Sequence, residues 1–147
     1  MTSLPLIWIL EDEASARFVY SKALDLKYSL QFFETVLAFR QALVQEKQNP
    51  DLVIADLRLP DESFLAFLAN EDIELTKRFP FIIISSIDDL DVLRLCFDEG
   101  ASDFLTKPFN SSELLIKIQR ILQMRKSDEN IKSPKMEVDL TYRQLKS

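Results

Sequence analysis

Five polar side chains stand at the ends of short apolar runs. Glu11 and Asp12, with Glu13 behind them, follow Leu6 to Leu10. Asp56 follows Leu52 to Ala55, Ser85 follows Phe81 to Ile84 with Ser86 next to it, and Lys107 closes the run that begins at Asp103. Asp12 and Asp56 lie 44 residues apart, Asp56 and Ser85 29, and Ser85 and Lys107 22. Each interval fits one or two strand-turn-helix-turn units, so the spacing predicts that all of them return to one edge of a sheet. Glu11, Asp12 and Asp56 offer only oxygen donors, which suit Mg²⁺ better than zinc or copper. Three carboxylates about 5 Å apart repel by roughly 3 kcal/mol per pair at an effective dielectric of about 20. A divalent cation or the Lys107 ammonium removes that cost. Ser85 can donate a hydrogen bond to an anionic oxygen. Together these groups describe a phosphoryl site, in which one carboxylate attacks phosphorus and the others hold a metal.

Taken singly, each residue has a plainer reading. The Glu11-Asp12-Glu13 run can complement the positive end of a helix. Asp56 can be an ordinary strand-end residue, Ser85 a satisfied core hydroxyl, Lys107 a solvated charge and Phe104 part of the core. Their coincidence at four successive rim positions favours the site. Glu13 and Ser86 are read as structural, Cys96 as helix packing, and Trp8 and the phenylalanines as core.

Composition removes other chemistries. With no histidine, Ser-His-Asp catalysis, a phosphohistidine on this chain and His-ligated zinc are excluded. Cys96 is the only cysteine, so no internal disulfide can form, and a reducing, cytoplasmic setting is expected. Gly100 is the only glycine, where a usual share would give about ten, so no Walker loop or GxGxxG turn is present. The net charge of −6 argues against nucleic-acid contact by this domain. The apolar run from Leu4 to Leu10 is too short for a signal peptide or a membrane span.

The elements that must position the rim alternate between the two periods. Strands are predicted over Leu6 to Leu10, Leu30 to Phe33, Leu52 to Ala55, Phe81 to Ile84 and Asp103 to Lys107. Helices are predicted over Ala14 to Leu26 (Phe18, Val19, Ala23 and Leu26 sharing a face), Val36 to Gln45, from Ser63 onward, Leu90 to Glu99 and Ser112 to Met124. Asp61 or Ser63 is the expected cap of the third helix, Asp88-Asp89 of the fourth, and Asn110 or Ser111 of the fifth. Gly100 is placed to close the fourth helix in the left-handed conformation. The apolar third and fourth strands imply a parallel sheet covered on both faces, an open doubly wound α/β sandwich.

Ile7 to Glu13 (IWILEDE), Asp51 to Asp61 (DLVIADLRLPD), Phe79 to Ser86 (FPFIIISS) and Glu99 to Phe109 (EGASDFLTKPF) each match a motif of one family, in its order. Over about residues 4 to 124 the chain resembles the receiver domain of two-component response regulators. The resemblance implies a flavodoxin-like five-stranded parallel sheet of order 2-1-3-4-5 with five helices. It implies Asp56 as the phosphoacceptor, Glu11 and Asp12 as the acidic pair for Mg²⁺ (Asp12 directly), and the backbone carbonyl of Arg58 as a further metal ligand. It also implies Ser85 and Lys107 as partners of the phosphoryl group, Phe104 as the aromatic switch, and a cis Lys107-Pro108 bond. The implied partner is a histidine kinase or phosphotransfer protein, and the domain catalyses only its own phosphorylation and dephosphorylation. Departures are Glu11 for a frequent Asp, Ser85 for a frequent Thr, Ser86 for a small residue, and the absence of the glycine frequent after Pro60-Asp61, which predicts a differently shaped loop. Arg58 puts a long cation two residues past Asp56, where it can bind or shield an acyl phosphate.

Residues 1–124 are thus read as the receiver and 125–147 as a linker leading into the start of a truncated output domain. Met136 to Lys146 vaguely resembles the first strands of a winged-helix domain, and Leu140 to Gln144 equally suits the opening of a helix-turn-helix. Either would make the whole protein a transcription regulator. Asp98, Asp103 and Lys117 are candidates for charge pairs across a dimer of the surface made by the fourth helix, fifth strand and fifth helix. Two other functions stand beside this one. A phosphatase with an aspartyl nucleophile would want an acid where Arg58 stands. An interaction module that never takes phosphate would not need the acids and Lys107 that this chain keeps.

Overall fold

Branched and aromatic side chains dominate the short apolar runs, and such residues favour extended backbone. β1 (Leu6–Leu10), β2 (Ser29–Phe33), β3 (Leu52–Asp56), β4 (Phe81–Ser85) and β5 (Asp103–Thr106) form one sheet, every neighbouring pair parallel, in the order β2-β1-β3-β4-β5. Between and after them run α1 (Ala14–Leu24), α2 (Val36–Gln45), α3 (Phe64–Asn70), α4 (Leu90–Asp98) and α5 (Ser111–Asn130). This computed structural model describes residues 3–45, 49–70, 78–86 and 90–130, with side chains through residue 126. The architecture is the doubly wound α/β sandwich expected from the sequence, with five helices among the described residues.

Side chains alternate across the sheet, and each face has its own core. Trp8, Leu10, Val53, Ala55, Phe81 and Ile83 pack against α2, α3 and α4 through Phe39, Phe64, Phe67 and Cys96. Ile7, Ile9, Leu52, Ile54, Ile82 and Ile84 pack against α1 and α5 through Tyr20, Leu24, Leu114 and Ile118. Cys96 is buried in that packing, as read from the sequence, and burial pushes its thiol upward. Gly100 has φ 105° and closes α4, its N–H donating to Phe97 O. Asn110 caps α5, accepting from the Ser112 and Glu113 N–H groups.

Several expectations are corrected. Phe18, Val19 and Leu26 do not line an inner face of the first helix; they are exposed, and Tyr20 and Leu24 are buried instead. The buried stripe is Ala16, Tyr20, Ala23 and Leu24, spaced by four, three and one, in which small residues and a hydroxylated ring do the packing. The helix also stops at Leu24, so Leu26 lies beyond it. In α2, Val36, Phe39 and Leu43 are buried, while Leu37 and Val44 face solvent. Ser63 caps α3 by accepting from Ala66 N–H, and Asp61 binds the first turn of α2 instead. α5 continues to Asn130, six residues past the predicted end at Met124. Arg125, assigned to a linker, is part of that helix and donates from its guanidinium to Asp51 O (2.7 Å) and Arg78 O (3.0 Å), tying α5 to the amino-terminal edge of the sheet. The Asp88-Asp89 cap, residues 71–77 after α3, and the tail from residue 131 lie outside the described residues.

Leu24 and Leu26 give a matched test of the α1 assignment, since their relative exposures are 0% and 91%. Leu24→Ala is expected to cost about 2–5 kcal/mol, through lost burial and a cavity. Leu26→Ala is expected to stay within about 0.5 kcal/mol of wild type. Urea unfolding followed by the fluorescence of Trp8, the only tryptophan, reads both; similar losses in the two variants would refute the assignment.

Candidate functional site

The rim is made where the strands end. Glu11 follows β1 directly, and its N–H continues the β1–β2 ladder to Phe33 O at 2.9 Å. The Arg17 guanidinium donates to Glu11 O at 3.0 Å and pairs with Glu34 at 3.3 Å, which holds the turn into α1. Asp56 ends β3, and Leu57 N–H donates to Ile84 O, so the backbone there is anchored to β4. Lys107 follows β5; its N–H donates to Ser85 O at 2.9 Å. The bond from Lys107 to Pro108 is cis, as the family motif implied.

These placements converge on one ammonium. Lys107 Nζ donates to Glu11 Oε1 at 2.8 Å and to Asp56 Oδ2 at 2.6 Å. The other oxygens are also engaged: Glu11 Oε2 accepts from Glu13 N–H at 3.3 Å, and Asp56 Oδ1 accepts from Arg58 N–H at 3.1 Å. Burial pushes the Glu11 carboxyl above the usual carboxylate range, and its bond from Lys107 only partly opposes this. Burial alone would lower Lys107, but the two carboxylates outweigh it and hold the ammonium more firmly protonated than usual. Two carboxylates around one ammonium leave one net negative charge, and Asp12 adds another at the mouth.

Beside this triad opens a cleft of about 530 Å³, lined by Asp12, Asp56, Arg58, Ser85 and Lys107 among others. Ser85 is almost fully buried. Glu13 and Ser86, read as structural, also line the cleft. Glu11 does not; it is fully buried, one layer behind, against Lys107. Among the described residues no three carboxylates gather closely enough to hold a cation between them. The donors that face the cleft are nonetheless a fit for Mg²⁺, which takes one or two carboxylates and keeps several waters. Asp12 and Asp56 supply those carboxylates, and Arg58 lines the same space.

Phe104 is half-buried on β5, packed at the margin of the core under α2, α3 and α4. Asp103 and Lys117, considered for contacts between copies, pair with each other within the chain at 2.9 Å. Three contributors were not picked out from the sequence. Arg17 holds the Glu11 carbonyl. Tyr20 is buried near Glu11 and Asp56, and burial followed by those two negative charges raises its phenol strongly, so it stays protonated. Its ring stacks on Phe109, two residues past Lys107, at 5.4 Å. Asp61 anchors the loop beyond Asp56. A hydroxyl inside the apolar stripe of α1 was the one available signal, for Tyr20; contacts of Asp61 across 25 residues leave none.

The response regulator receiver domain model matches residues 7–119 of this chain. The DNA-binding transcriptional regulator NtrC of Proteus hauseri is 32% identical over 117 residues, covering 79% of this chain and 24% of that protein. The KDP operon transcriptional regulatory protein KdpE of Escherichia coli (strain K12) is 30% identical over 141 residues, 93% of this chain and 61% of that protein. The chain therefore spans about a quarter of the NtrC relative's length. Among solved structures, the signal receiver domain of a LuxO repressor protein from Vibrio parahaemolyticus superposes with a TM-score of 0.77 at 27% identity, over 89% of this chain and 99% of that one. No helix among the described residues is long and apolar enough to cross a membrane.

If Lys107 is the counter-charge that keeps the buried Glu11 ionised, Lys107→Met costs about 3 kcal/mol at pH 7, as expected when one partner of a buried ion group is removed. Burial already raises the Glu11 carboxyl, and without the ammonium it holds its proton still more tightly in the folded chain than in the unfolded one. The penalty is full above its folded-state pKa and fades as it takes up a proton. Chemical denaturation of both proteins at pH 7 and near pH 4 reads this, and a loss of equal size at both would argue against it.

Proposed function

This chain belongs to the response regulator receiver family, and from that membership we propose that it is a phosphoryl-accepting switch whose acceptor is Asp56. The donor is a phosphohistidine on a histidine kinase or phosphotransfer protein. The observation that carries this reading is the Lys107 ammonium held at 2.6 Å from Asp56 and 2.8 Å from Glu11, beside a cleft that Asp12 and Ser85 line.

In the transfer, an Asp56 carboxylate oxygen bonds to phosphorus as the phosphorus–nitrogen bond of the donor breaks, and the imidazole nitrogen keeps the bonding pair. The carboxylates of Asp12 and Asp56 and the carbonyl of Arg58 would hold Mg²⁺, with Glu11 completing the acidic pair from behind; bound Mg²⁺ would supply positive charge that offsets the charge of the phosphoryl group. Lys107 passes from carboxylate to phosphoryl oxygen, so the new anion meets a cation already in place. The Ser85 hydroxyl donates to the phosphoryl group. Its shift toward the cleft vacates space for Phe104, which carries the change to the surface of α4, β5 and α5. This is a two-state shift biased by a local charge. The domain performs this chemistry on itself and turns over no separate substrate.

The relatives named as transcriptional regulators support a transcriptional output. In this reading the output is controlled through that surface and through a homodimer formed on it. The domain itself touches no nucleic acid or membrane, and it works in the cytoplasm. The segment after α5, residues 131–147, links it to the output.

Intact-mass analysis after acetyl phosphate and Mg²⁺ is expected to show one added phosphoryl group on wild type and none on Asp56→Asn. If wild type takes no label and Mg²⁺ does not raise its melting temperature, the chain is instead an interaction module that works without phosphate. Arg58→Asn is expected to change the lifetime of phospho-Asp56, followed as loss of the added mass; equal decay in both proteins removes any role for Arg58 at the acyl phosphate.

A further inference from the structure

The loop between β3 and α3 carries the Arg58 carbonyl, and it is pinned at a point the phosphoryl chemistry does not itself require. Asp61 Oδ1 accepts from Val36 N–H at 3.0 Å, and Asp61 Oδ2 accepts from Leu37 N–H at 2.9 Å. Val36 and Leu37 open α2, where the first four N–H groups have no partner within the helix. Thr35 serves the next, its Oγ1 accepting from Ala38 N–H at 3.1 Å, and its carbonyl takes the first bond within the helix, from Phe39 N–H at 3.3 Å. Three of the orphan donors are thus satisfied by side chains, two of them by a carboxylate 24 and 25 residues further along the chain.

Charge adds to geometry. α2 has no acidic residue in its first turn, so the anion that complements its positive end comes from this loop. Desolvation pushes the Asp61 carboxyl upward, but backbone N–H bonds outweigh it and hold it below the usual carboxylate range. The next residue grips the same helix: Glu62 Oε1 pairs with Arg40 at 3.3 Å, and the Arg40 guanidinium lies 5.1 Å from the centre of the Phe67 ring. At its base the loop is closed by the Arg58–Ser63 bridge and by Phe64 N–H donating to Leu57 O at 2.8 Å. The loop is therefore fixed at its stem, where Arg58 itself bridges to Ser63, and at its tip, where Asp61 clasps α2.

We infer that Asp61 is a positioning residue, whose clasp on the first turn of α2 sets the backbone of Arg58 at the cation site. The inference rests on the proposed reading of the cleft as a Mg²⁺-dependent phosphoryl site. Asp61 touches neither cation nor phosphoryl group; it acts through the loop.

The test is the Mg²⁺ concentration giving half-maximal acetyl-phosphate labelling of the full chain, read beside the melting temperature. Asp61→Ala is expected to raise the half-maximal concentration about tenfold, the usual size for losing a group that orients a ligand. Asp61→Asn keeps one acceptor oxygen and is expected to fall between. Leu37→Glu, at an exposed position in the first turn of α2, restores a complementary charge without restoring the tie. Combined with Asp61→Ala it is expected to recover melting temperature but not Mg²⁺ affinity. If Asp61→Ala does not fold, the double variant and Asp61→Asn carry the comparison. Wild-type half-saturation in the folded Asp61 variants, or recovery of Mg²⁺ affinity by Leu37→Glu, overturns the inference and leaves the phosphoryl reading intact. Wild type that takes no label at Asp56 overturns that reading, and the inference with it.

Discussion

Glu11 and Asp56 share the single ammonium of Lys107, and the rest of the rim is arranged around that contact. Each contact is worth roughly 6 kcal/mol of Coulomb attraction at an effective dielectric of about 20, before desolvation and the repulsion between the carboxylates are counted. Desolvation costs several kcal/mol per ion, so the cluster adds little net stability when intact. It is nonetheless expensive to break, because Glu11 is fully buried and Lys107 is its cation. The balance suits a switch. A new anion at Asp56 competes for the same ammonium, and Glu11 must then find another cation. Asp12, exposed at the mouth, places a further negative charge where such a cation would enter.

The sheet makes this contact possible and holds its register. In strand order β2-β1-β3-β4-β5, the chain leaves β1 toward one edge and β3 toward the other. The crevice between their carboxyl ends is therefore left open. Glu11 and Asp12 stand on one side of it and Asp56 on the other. The residues before them, Ile9 and Ile54, and Leu10 and Ala55, are register partners buried in the two cores. A one-residue slip of either strand would exchange its faces and place apolar side chains in the wrong core. Burial of the strands thus fixes the rim positions, with no separate scaffold.

How much of this could be read from the chain follows from where each determinant lies. Strands and rim residues were legible because a fully buried parallel strand is a short unbroken apolar run, and the polar residue that ends it marks the edge. Asp56 and Ser85 themselves proved to be the last residues of β3 and β4. Helix faces were less legible. In α1 the conspicuous apolar residues Phe18 and Val19 face solvent, and the buried stripe consists of two alanines, a leucine and a tyrosine whose hydroxyl disguised it. The end of α5 was misjudged because its last residues are polar; two main-chain carbonyls held by Arg125, distant in sequence, keep the helix against the sheet. Asp61 looked like a cap for the helix that follows it and caps the helix that precedes it. The acidic pair was read as one unit, yet Glu11 and Asp12 divide, one into the ion cluster and one onto the cleft.

The reach of Lys107 explains one more feature of the rim. β5 is two strands from β3 and three from β1. At about 4.8 Å per strand, the Lys107 backbone stands roughly 10 Å from that of Asp56 across the sheet. Only a long, unbranched side chain crosses that distance, and it must pass over the end of β4. Ser85 occupies that end, with its carbonyl accepting from Lys107 N–H. A bulky side chain at 85 would stand in the path of the ammonium, and an apolar one would leave the cleft without a hydroxyl. The lysine at 107 and the small alcohol at 85 therefore answer a single geometric demand. That demand comes from the order of the strands, and for this reason the two residues have to be read as a pair.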